Sequence, residues 1–400
     1  ASMRTQNATY HEPGSIRLED WGNNDPNTRS KTEATVVSLY ANWKATEDWT
    51  TKLTLGTYQE RYRFENPFNP PGTSFSNIPF WDDATATFIY SGPAPASPEA
   101  SRYLAVSENW CADWQNTVQL AERNRFVLGA SLLYETGRDV SDYETEFSAS
   151  KTTSSQSALN AGVYAEDQWE VIDSLHLVGG VRYDHYQLSG DALTYRGGAA
   201  YLIKPTRTKI RVSYGTGFKE PTFYESHNTL LYTGKRLNPE RSRSWDAGVE
   251  QYFLEDRFSL ETTYFHNRTR DLIAYISADY NTPFYTNRDT MAAHGIEASL
   301  TGKLTPRWQG RLAYTWTEST QTVGYWTDPH ESSLSGMQQT PKIPHHALCM
   351  DTHYTFDLPR GKLTVGGGVK YASGSMDADY SLARMVDLNG KPTWASKEVE

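Results

Sequence analysis

Short runs of alternating apolar and polar residues, joined by tight turns at one end and long connections at the other, constrain this chain more than any other feature. From Glu33 to Lys44, Val37, Leu39, Ala41 and Trp43 fall on one face of a strand, and Val36, Ser38, Tyr40 and Asn42 fall on the other. After Ala45-Thr46-Glu47-Asp48 the pattern restarts with Trp49, Leu53 and Leu55, so two tryptophans flank the closed end of a hairpin. The design recurs with Leu104, Val106, Trp110, Ala112, Trp114, Val118 and Leu120, answered by Phe126, Leu128, Ala130, Leu132 and Tyr134. Leu159, Ala161, Val163, Ala165 and Trp169 precede the turn at Ile172-Asp173-Ser174, and Leu175, Leu177, Val181 and Tyr183 follow it. Tyr201 and Ile203 lead into Lys204-Pro205-Thr206-Arg207, before Ile210, Val212, Tyr214 and Phe218. Further hairpins turn near Leu254-Glu255-Asp256, Thr305-Pro306-Arg307 and Asp357-Leu358-Pro359-Arg360.

About fourteen strands in seven hairpins are expected. The opposite connections, over Phe64 to Ser101, Gly137 to Ser157, Lys219 to Arg241 and Glu318 to Pro344, are long and rich in Pro, Gly, Ser, Asn or Tyr. Long loops on one side and short turns on the other are the mark of a transmembrane β-barrel. Mean hydropathy is -0.66, and no run approaches the 18 apolar residues that a spanning helix needs. A barrel strand escapes that test, because only its outward half meets lipid. It also explains why 26 Tyr, 14 Phe and 12 Trp stand in a chain only 38% hydrophobic: aromatics belong in the girdles at the two membrane surfaces. The expected fold class is therefore all-β, an antiparallel transmembrane β-barrel, with outer-membrane lipid as a partner.

A net charge of -10 provides no basic stripe for phosphate, so nucleic acid is not an expected partner. Cys111 and Cys349 belong to no CxxC or Cys/His cluster, and no functional disulfide, redox or zinc site is expected. The chain carries no GxSxG, HExxH or Walker A run, and Gly215-Thr216-Gly217 lacks the third glycine of a dinucleotide turn, so no enzyme is read here. His345 and His346 point to opposite faces if they lie on a strand, and read as an ordinary strand-entry pair rather than metal ligands. Asp139, Asp142, Glu144 and Glu146 crowd one connection and are the one place for calcium, but their spacing matches no EF-hand and a solvated acidic loop is expected. No cofactor is expected. The start Ala1-Ser2-Met3 lacks the features of a signal peptide, as in an exported chain whose beginning has been removed.

Several stretches resemble, in order, the barrel domain of TonB-dependent receptors. Tyr164-Ala165-Glu166-Asp167-Gln168-Trp169 is similar to that family's YAEDEW strand, and Gly180-Val181-Arg182-Tyr183-Asp184 to its GxRYD strand. Tyr214 to Glu225 (YGTGFKEPTFYE) is similar to YGTGFKAPTxxE, with Glu220 in place of the usual Ala. Leu237-Asn238-Pro239-Glu240-Arg241-Ser242 resembles LKPExS, with Asn238 for Lys, and Trp245 to Glu250 resembles the WExGxE strand that follows. Asn287, then Gly295-Ile296-Glu297-Ala298, resembles the N…GxE strand.

The resemblance implies a 22-stranded barrel around an N-terminal plug, of which residues 1–400 supply an incomplete part, about strands 6 to 19, with the plug, first strands and last strands outside it. It further implies an outer-membrane receptor of a Gram-negative-type bacterium that binds a scarce small-molecule nutrient, cobalamin or a ferric siderophore, and imports it with energy supplied by TonB through the plug. The barrel motifs look closest to cobalamin-type receptors, with siderophore receptors a near second. Loop aromatics Phe75, Phe80, Trp81, Tyr90, Tyr232, Tyr325 and Trp326 are candidate contacts, since flat faces suit a planar or apolar ligand. Packing of one loop on the next is the plainer use of such residues. Two other classes stay open: a passive porin-type channel without a plug, and a soluble all-β ligand-binding protein.

Overall fold

A computed structural model of the chain describes residues 2–11, 29–67, 79–82, 87–90, 100–145, 148–277, 283–322, 337–340, 343–378 and 396–399. Strand β1 (Ser2–His11) precedes β2 (Arg29–Lys44) and β3 (Trp49–Asn66), and a short pair, β4 (Pro79–Asp82) and β5 (Thr87–Tyr90), follows. Then come β6 (Ala100–Ala121) and β7 (Asn124–Glu144), β8 (Ala149–Ile172) and β9 (Leu175–Tyr186), and β10 (Gly190–Ile203) and β11 (Thr208–Lys219). Helix α1 (Phe223–Thr233) leads to β12 (Glu240–Phe253), β13 (Phe258–Ser277), β14 (Pro283–Thr305), β15 (Trp308–Thr322) and the short β16 (Met337–Gln339). The chain continues through β17 (His346–Leu358), β18 (Gly361–Ala372), β19 (Ser375–Ala378) and β20 (Ser396–Val399).

Fifteen strands follow one another in an antiparallel sheet, in the order β1-β2-β3-β6-β7-β8-β9-β10-β11-β12-β13-β14-β15-β17-β18, with β16 paired to β15. The fourteen from β2 onward are the seven hairpins expected from alternation. The fifteenth, β1, pairs in register from Ser2↔Ser38 to His11↔Arg29; its sequence, SMRTQNATYH, has no apolar period to betray it. The chain divides into two compact units: Ala1–Lys44, Thr51–Gln115 and Ala130–Ala161 in one, and Ala45–Thr50, Asn116–Gly129 and Gly162–Glu400 in the other.

Many of the large apolar side chains are exposed. Among the described residues the buried apolar ones are Ala158, Ala192, Leu237 and Ala293, while Leu120 is 63% exposed, Val163 56% and Val369 69%. A soluble sandwich hides such residues in a core, whereas a membrane barrel presents them to lipid. The alternating sets read from the sequence supply this face: Trp110, Trp114 and Leu120; Leu128, Leu132 and Tyr134; Leu177, Val181 and Tyr183; Ile210, Val212 and Tyr214 are all exposed. No helix among the described residues is long and apolar enough to cross a membrane. Tryptophan fits this face because its ring is apolar and its one N–H is paired. Within the first unit the Trp114 indole donates to Thr51 Oγ1 at 2.9 Å. Within the second, Trp49 donates to Asn116 Oδ1 at 3.1 Å and Trp308 to Thr352 Oγ1 at 2.7 Å.

In the second unit, each tight turn is latched to the next. Glu170 N–H donates to the Arg123 carbonyl, Leu202 to Ser174, Tyr252 to Arg207, Lys303 to Arg257 and Thr355 to Arg307, at 2.8 to 3.1 Å. Ion pairs repeat the pattern: Arg123 with Asp173, Arg207 with Asp256 at 2.7 Å, and Arg307 with Asp357 at 2.5 Å.

Three expected loops are corrected. Gly137 to Ser157 is mostly strand, since β7 runs to Glu144 and β8 starts at Ala149. Lys219 to Arg241 contains α1, and β15 extends to Thr322 with β16 paired beside it. The physical reason is shared. Beyond the lipid neither face need be apolar, so alternation fades, yet backbone groups still require partners and find them by continuing the ladder or closing a helix.

Candidate functional site

The second face of the sheet carries the charge. In the second unit Arg182 and Asp184 form a two-toothed pair, with Nε donating to Oδ2 at 2.8 Å and Nη2 to Oδ1 at 2.6 Å. Asp184 is buried, so the fork compensates for its lost water. Glu166 accepts from Arg196, Gln168 Oε1 accepts from Arg125 Nε at 3.0 Å, and Lys209 Nζ lies 3.6 Å from Glu250. Arg211 reaches across β12 to Thr263 Oγ1 at 2.7 Å and to Glu261. Part of this wall forms a groove of about 950 Å³ lined by Arg125, Glu166, Gln168, Arg196, Ser213 and Ser244, among others. Among the described residues the buried charges Asp184 and Glu240 are both paired, which leaves a polar face suited to water-borne solute or to a polar domain.

At the loop end of the same unit a collar gathers several of the motif residues. Strand β11 ends at Lys219, and Pro221, which has no N–H to pair, stands just ahead of the helix N-cap. Thr222 is the N-cap of α1: its Oγ1 accepts from Glu225 N–H at 3.2 Å, and Glu225 Oε2 accepts from Thr222 N–H at 2.8 Å. Gly234 closes the helix at φ 67°, a left-handed conformation that glycine adopts without penalty, and its N–H donates to the Leu230 carbonyl at 3.0 Å. The helix is fastened to β14 by Thr229, nearly fully buried, whose Oγ1 donates to the Tyr285 carbonyl at 2.9 Å; Tyr224 packs edge-on against Tyr285 at 6.1 Å.

The LNPE segment is held from below. Asn287 Oδ1 accepts from Asn238 N–H and Asn287 Nδ2 donates to the Asn238 carbonyl, both at 2.7 Å. The same Nδ2 donates to the carbonyl of Asp271, at a strand irregularity where φ is 59°. Glu240 is buried, and its Oε1 accepts from Lys219 Nζ at 3.2 Å and from Ile273 N–H at 3.1 Å. Substituting Asn238 for the usual Lys leaves this anchorage intact, because Asn287 reads backbone atoms. Thus FKEPTFYE, LNPE and Asn287, separate in the sequence, form one rigid platform. The T-x-x-E spacing of Thr222 and Glu225 was the signal for α1.

Of the candidate cargo contacts, Phe80, Trp81 and Tyr90 share one small hairpin, with Phe80↔Ile89, Trp81↔Phe88 and Pro79↔Tyr90 as backbone partners. Tyr232 lies on α1. Phe75, Tyr325 and Trp326 lie outside the described residues. Of the acidic quartet, Asp139 accepts from the Tyr103 hydroxyl at 2.8 Å, Asp142 faces Lys151 Nζ at 3.5 Å, Glu144 ends β7, and Glu146 lies outside the described residues. Among the described residues no three His, Cys, Asp or Glu side chains are placed to hold a metal ion. His345 and His346 have separate partners, the Thr317 carbonyl at 3.0 Å and the Tyr314 hydroxyl at 2.8 Å. Cys111 and Cys349 are both free thiols.

Comparison with known proteins agrees with this architecture. The family model described as TonB dependent receptor-like, beta-barrel, matches residues 3–395. The chain is 28% identical over 241 residues to the probable TonB-dependent receptor BfrD of Bordetella pertussis, covering 54% of this chain and 30% of that protein. It is 27% identical over 241 residues to the ferripyoverdine receptor of Pseudomonas aeruginosa, covering 56% of this chain and 27% of that protein. The matched part is thus less than a third of these relatives' length. Among solved structures, the ferric-catecholate import receptor Fiu of E. coli superposes with a TM-score of 0.64 at 14% identity, over 93% of this chain and 61% of that one. The ferric yersiniabactin uptake receptor FyuA of Yersinia pestis gives 0.61 at 15%, over 87% and 50%. At these identities the superpositions speak for the fold alone.

Proposed function

The chain belongs to the TonB-dependent receptor-like β-barrel family of the bacterial outer membrane, whose members are receptors and transporters rather than enzymes, and from that premise we propose that it is the barrel portion of a ferric siderophore receptor. The observation that carries the reading is the two-faced sheet: an apolar face fit for lipid and a charge-paired wall topped by a rigid collar, a design for passing a polar solute through a bilayer. The cargo choice rests on the relatives. The sequence relative named above for its ligand is a ferripyoverdine receptor, which favours an iron chelate over cobalamin. A copper transporter shares the fold at a TM-score of 0.62, so fold by itself does not select the cargo.

In this reading the candidate cargo contacts are the aromatic residues Phe75, Phe80, Trp81, Tyr90, Tyr232, Tyr325 and Trp326, a residue type suited to a planar chelate. A plug contributed by the rest of the protein sits against the charged wall, and TonB acts on that plug to open the path. The test is a titration of the full-length receptor in detergent with a ferric hydroxamate-catecholate chelate, a ferric tricatecholate and cyanocobalamin, read by intrinsic tryptophan fluorescence. Saturable quenching by an iron chelate and none by cyanocobalamin is the expected result. Saturable binding of cyanocobalamin alone would overturn the cargo.

A further inference from the structure

Four arginines stand together on the apolar side of β12 and β13, at the loop end. Arg241 is the direct backbone partner of Arg270, and Arg243 that of Arg268. Directly opposed residues on antiparallel strands point to the same face, and i, i+2 residues share it, so all four project together. The face is fixed by the next pair down, Trp245↔His266, where Trp245 is exposed, stacks on His266 at 6.1 Å and packs at a tilt against Tyr264 at 5.3 Å. Below that ring row come Val249 and Leu260, both exposed. The arginines therefore sit one row above a membrane-interface aromatic band, at the height of lipid headgroups.

Opposing like charges across two strands is unfavourable unless something else neutralises them. All four side chains are exposed, and none has an ion pair or hydrogen bond among the described residues. The flanking register positions are Thr216 and Phe218 on β11 and Ala292 on β14, none of them an acid. Elsewhere in this unit arginines are partnered, as Arg182, Arg196, Arg207, Arg211 and Arg307 show. Adjacent strands lie about 5 Å apart and i, i+2 residues about 7 Å apart, so the cluster presents several forked donors over a patch the size of one multiply charged headgroup. Guanidinium is the group suited to gripping phosphate through two parallel hydrogen bonds.

We propose that Arg241, Arg243, Arg268 and Arg270 form a binding site for the phosphorylated headgroup of an outer-leaflet glycolipid, with Trp245, Tyr264 and His266 packing beneath it against the sugar and upper acyl chains. The site faces the membrane rather than the solute path, so it stands whatever the cargo.

The test uses the full-length receptor in phosphatidylethanolamine nanodiscs doped with a bis-phosphorylated glucosamine-disaccharide lipid or its dephosphorylated form, with bound lipid counted by native mass spectrometry. Wild type retains the phosphorylated lipid and not the dephosphorylated one, and excess inorganic phosphate does not displace it. R243Q/R268Q weakens retention by about tenfold or more, R243K/R268K restores part of it, and R207Q/R307Q, the same charge change at the tight-turn end, leaves it unchanged. Equal retention of both lipids by wild type, displacement by free phosphate, or full retention by a folded R243Q/R268Q would each overturn the proposal. The wild-type comparison of the two lipids decides the matter even if that variant fails to fold.

Discussion

Asn287 holds both backbone polar groups of Asn238, accepting from its N–H and donating to its carbonyl at 2.7 Å each, and donates as well to the carbonyl of Asp271. One side chain on β14 thus sets the height and orientation of the segment that delivers Glu240 to its buried contact with Lys219 and Ile273. Replacing Asn287 with Ala removes three hydrogen bonds at a partly exposed site, a local cost of about 1–2 kcal/mol. Amide exchange in 236–240 and 270–274 should accelerate while the strands below keep their protection. Unchanged exchange there would show that the LNPE segment is held by something else.

The capping box of α1 makes a sharper local test. Thr222→Ala should cost about 1 kcal/mol of helix stability, and Glu225→Gln, which keeps a hydrogen-bonding side chain facing the Thr222 N–H, should cost less. Limited proteolysis within 223–234 reads this directly. Cleavage should rise for Thr222→Ala well above Glu225→Gln; equal rates would mean that the Thr229 and Tyr285 contacts carry the helix alone.

The hairpins were legible because lipid is an unforgiving solvent. It demands an apolar side chain at every second position, and Val181, Tyr183, Ile210 and Val212 announce their strands by meeting that demand. Where lipid ends the code ends. Asp139 to Glu144 and Ser2 to His11 pair through backbone atoms that any sequence possesses. The collar was only half legible: Thr222 and Glu225 advertise a cap, but nothing local to Asn287 says that its amide will meet Asn238, 49 residues away.

Gly295, in the GxE strand, is needed for close approach. A methyl group there would collide with the Trp316 carbonyl oxygen and come within 2.7 Å of Phe265 Cζ, the ring of its cross-strand partner. Because one obstacle is backbone, the strand must shift, and Gly295→Val should destabilise by about 1–3 kcal/mol or more. Gly179→Ala is the control, since nothing lies within 4 Å of the added carbon. Urea midpoints of the folded band on unheated gels should fall for Gly295→Val and stay within error for Gly179→Ala. The reverse order would contradict the packing described for β13 to β15.

At the tip joining β9 and β10, His185 Nδ1 and Asp191 Oδ1 lie 2.7 Å apart. This hairpin stands beyond the Tyr195 and Tyr214 ring pair of the apolar face. Hydrogen bonding from His185 and then Tyr183 lowers the Asp191 pKa below its ordinary value. A carboxylate with a lowered folded pKa contributes stability that is present above its unfolded pKa and lost as pH falls through the folded one. Exchange protection of residues 184–192 should therefore hold from pH 7.5 down to about 4, the usual Asp value, and fail only below it. Loss between pH 7 and pH 6, or an unaltered profile in Asp191→Asn, would contradict the assignment.

The central claim, energised import of an iron chelate through this barrel, is tested most directly by uptake of radioactive iron, supplied as its ferric siderophore, into cells expressing the full-length receptor. Uptake should saturate, require TonB and collapse when a protonophore dissipates the proton gradient. Uptake that continues undiminished without TonB or the gradient would contradict the account and assign the chain to a passive channel.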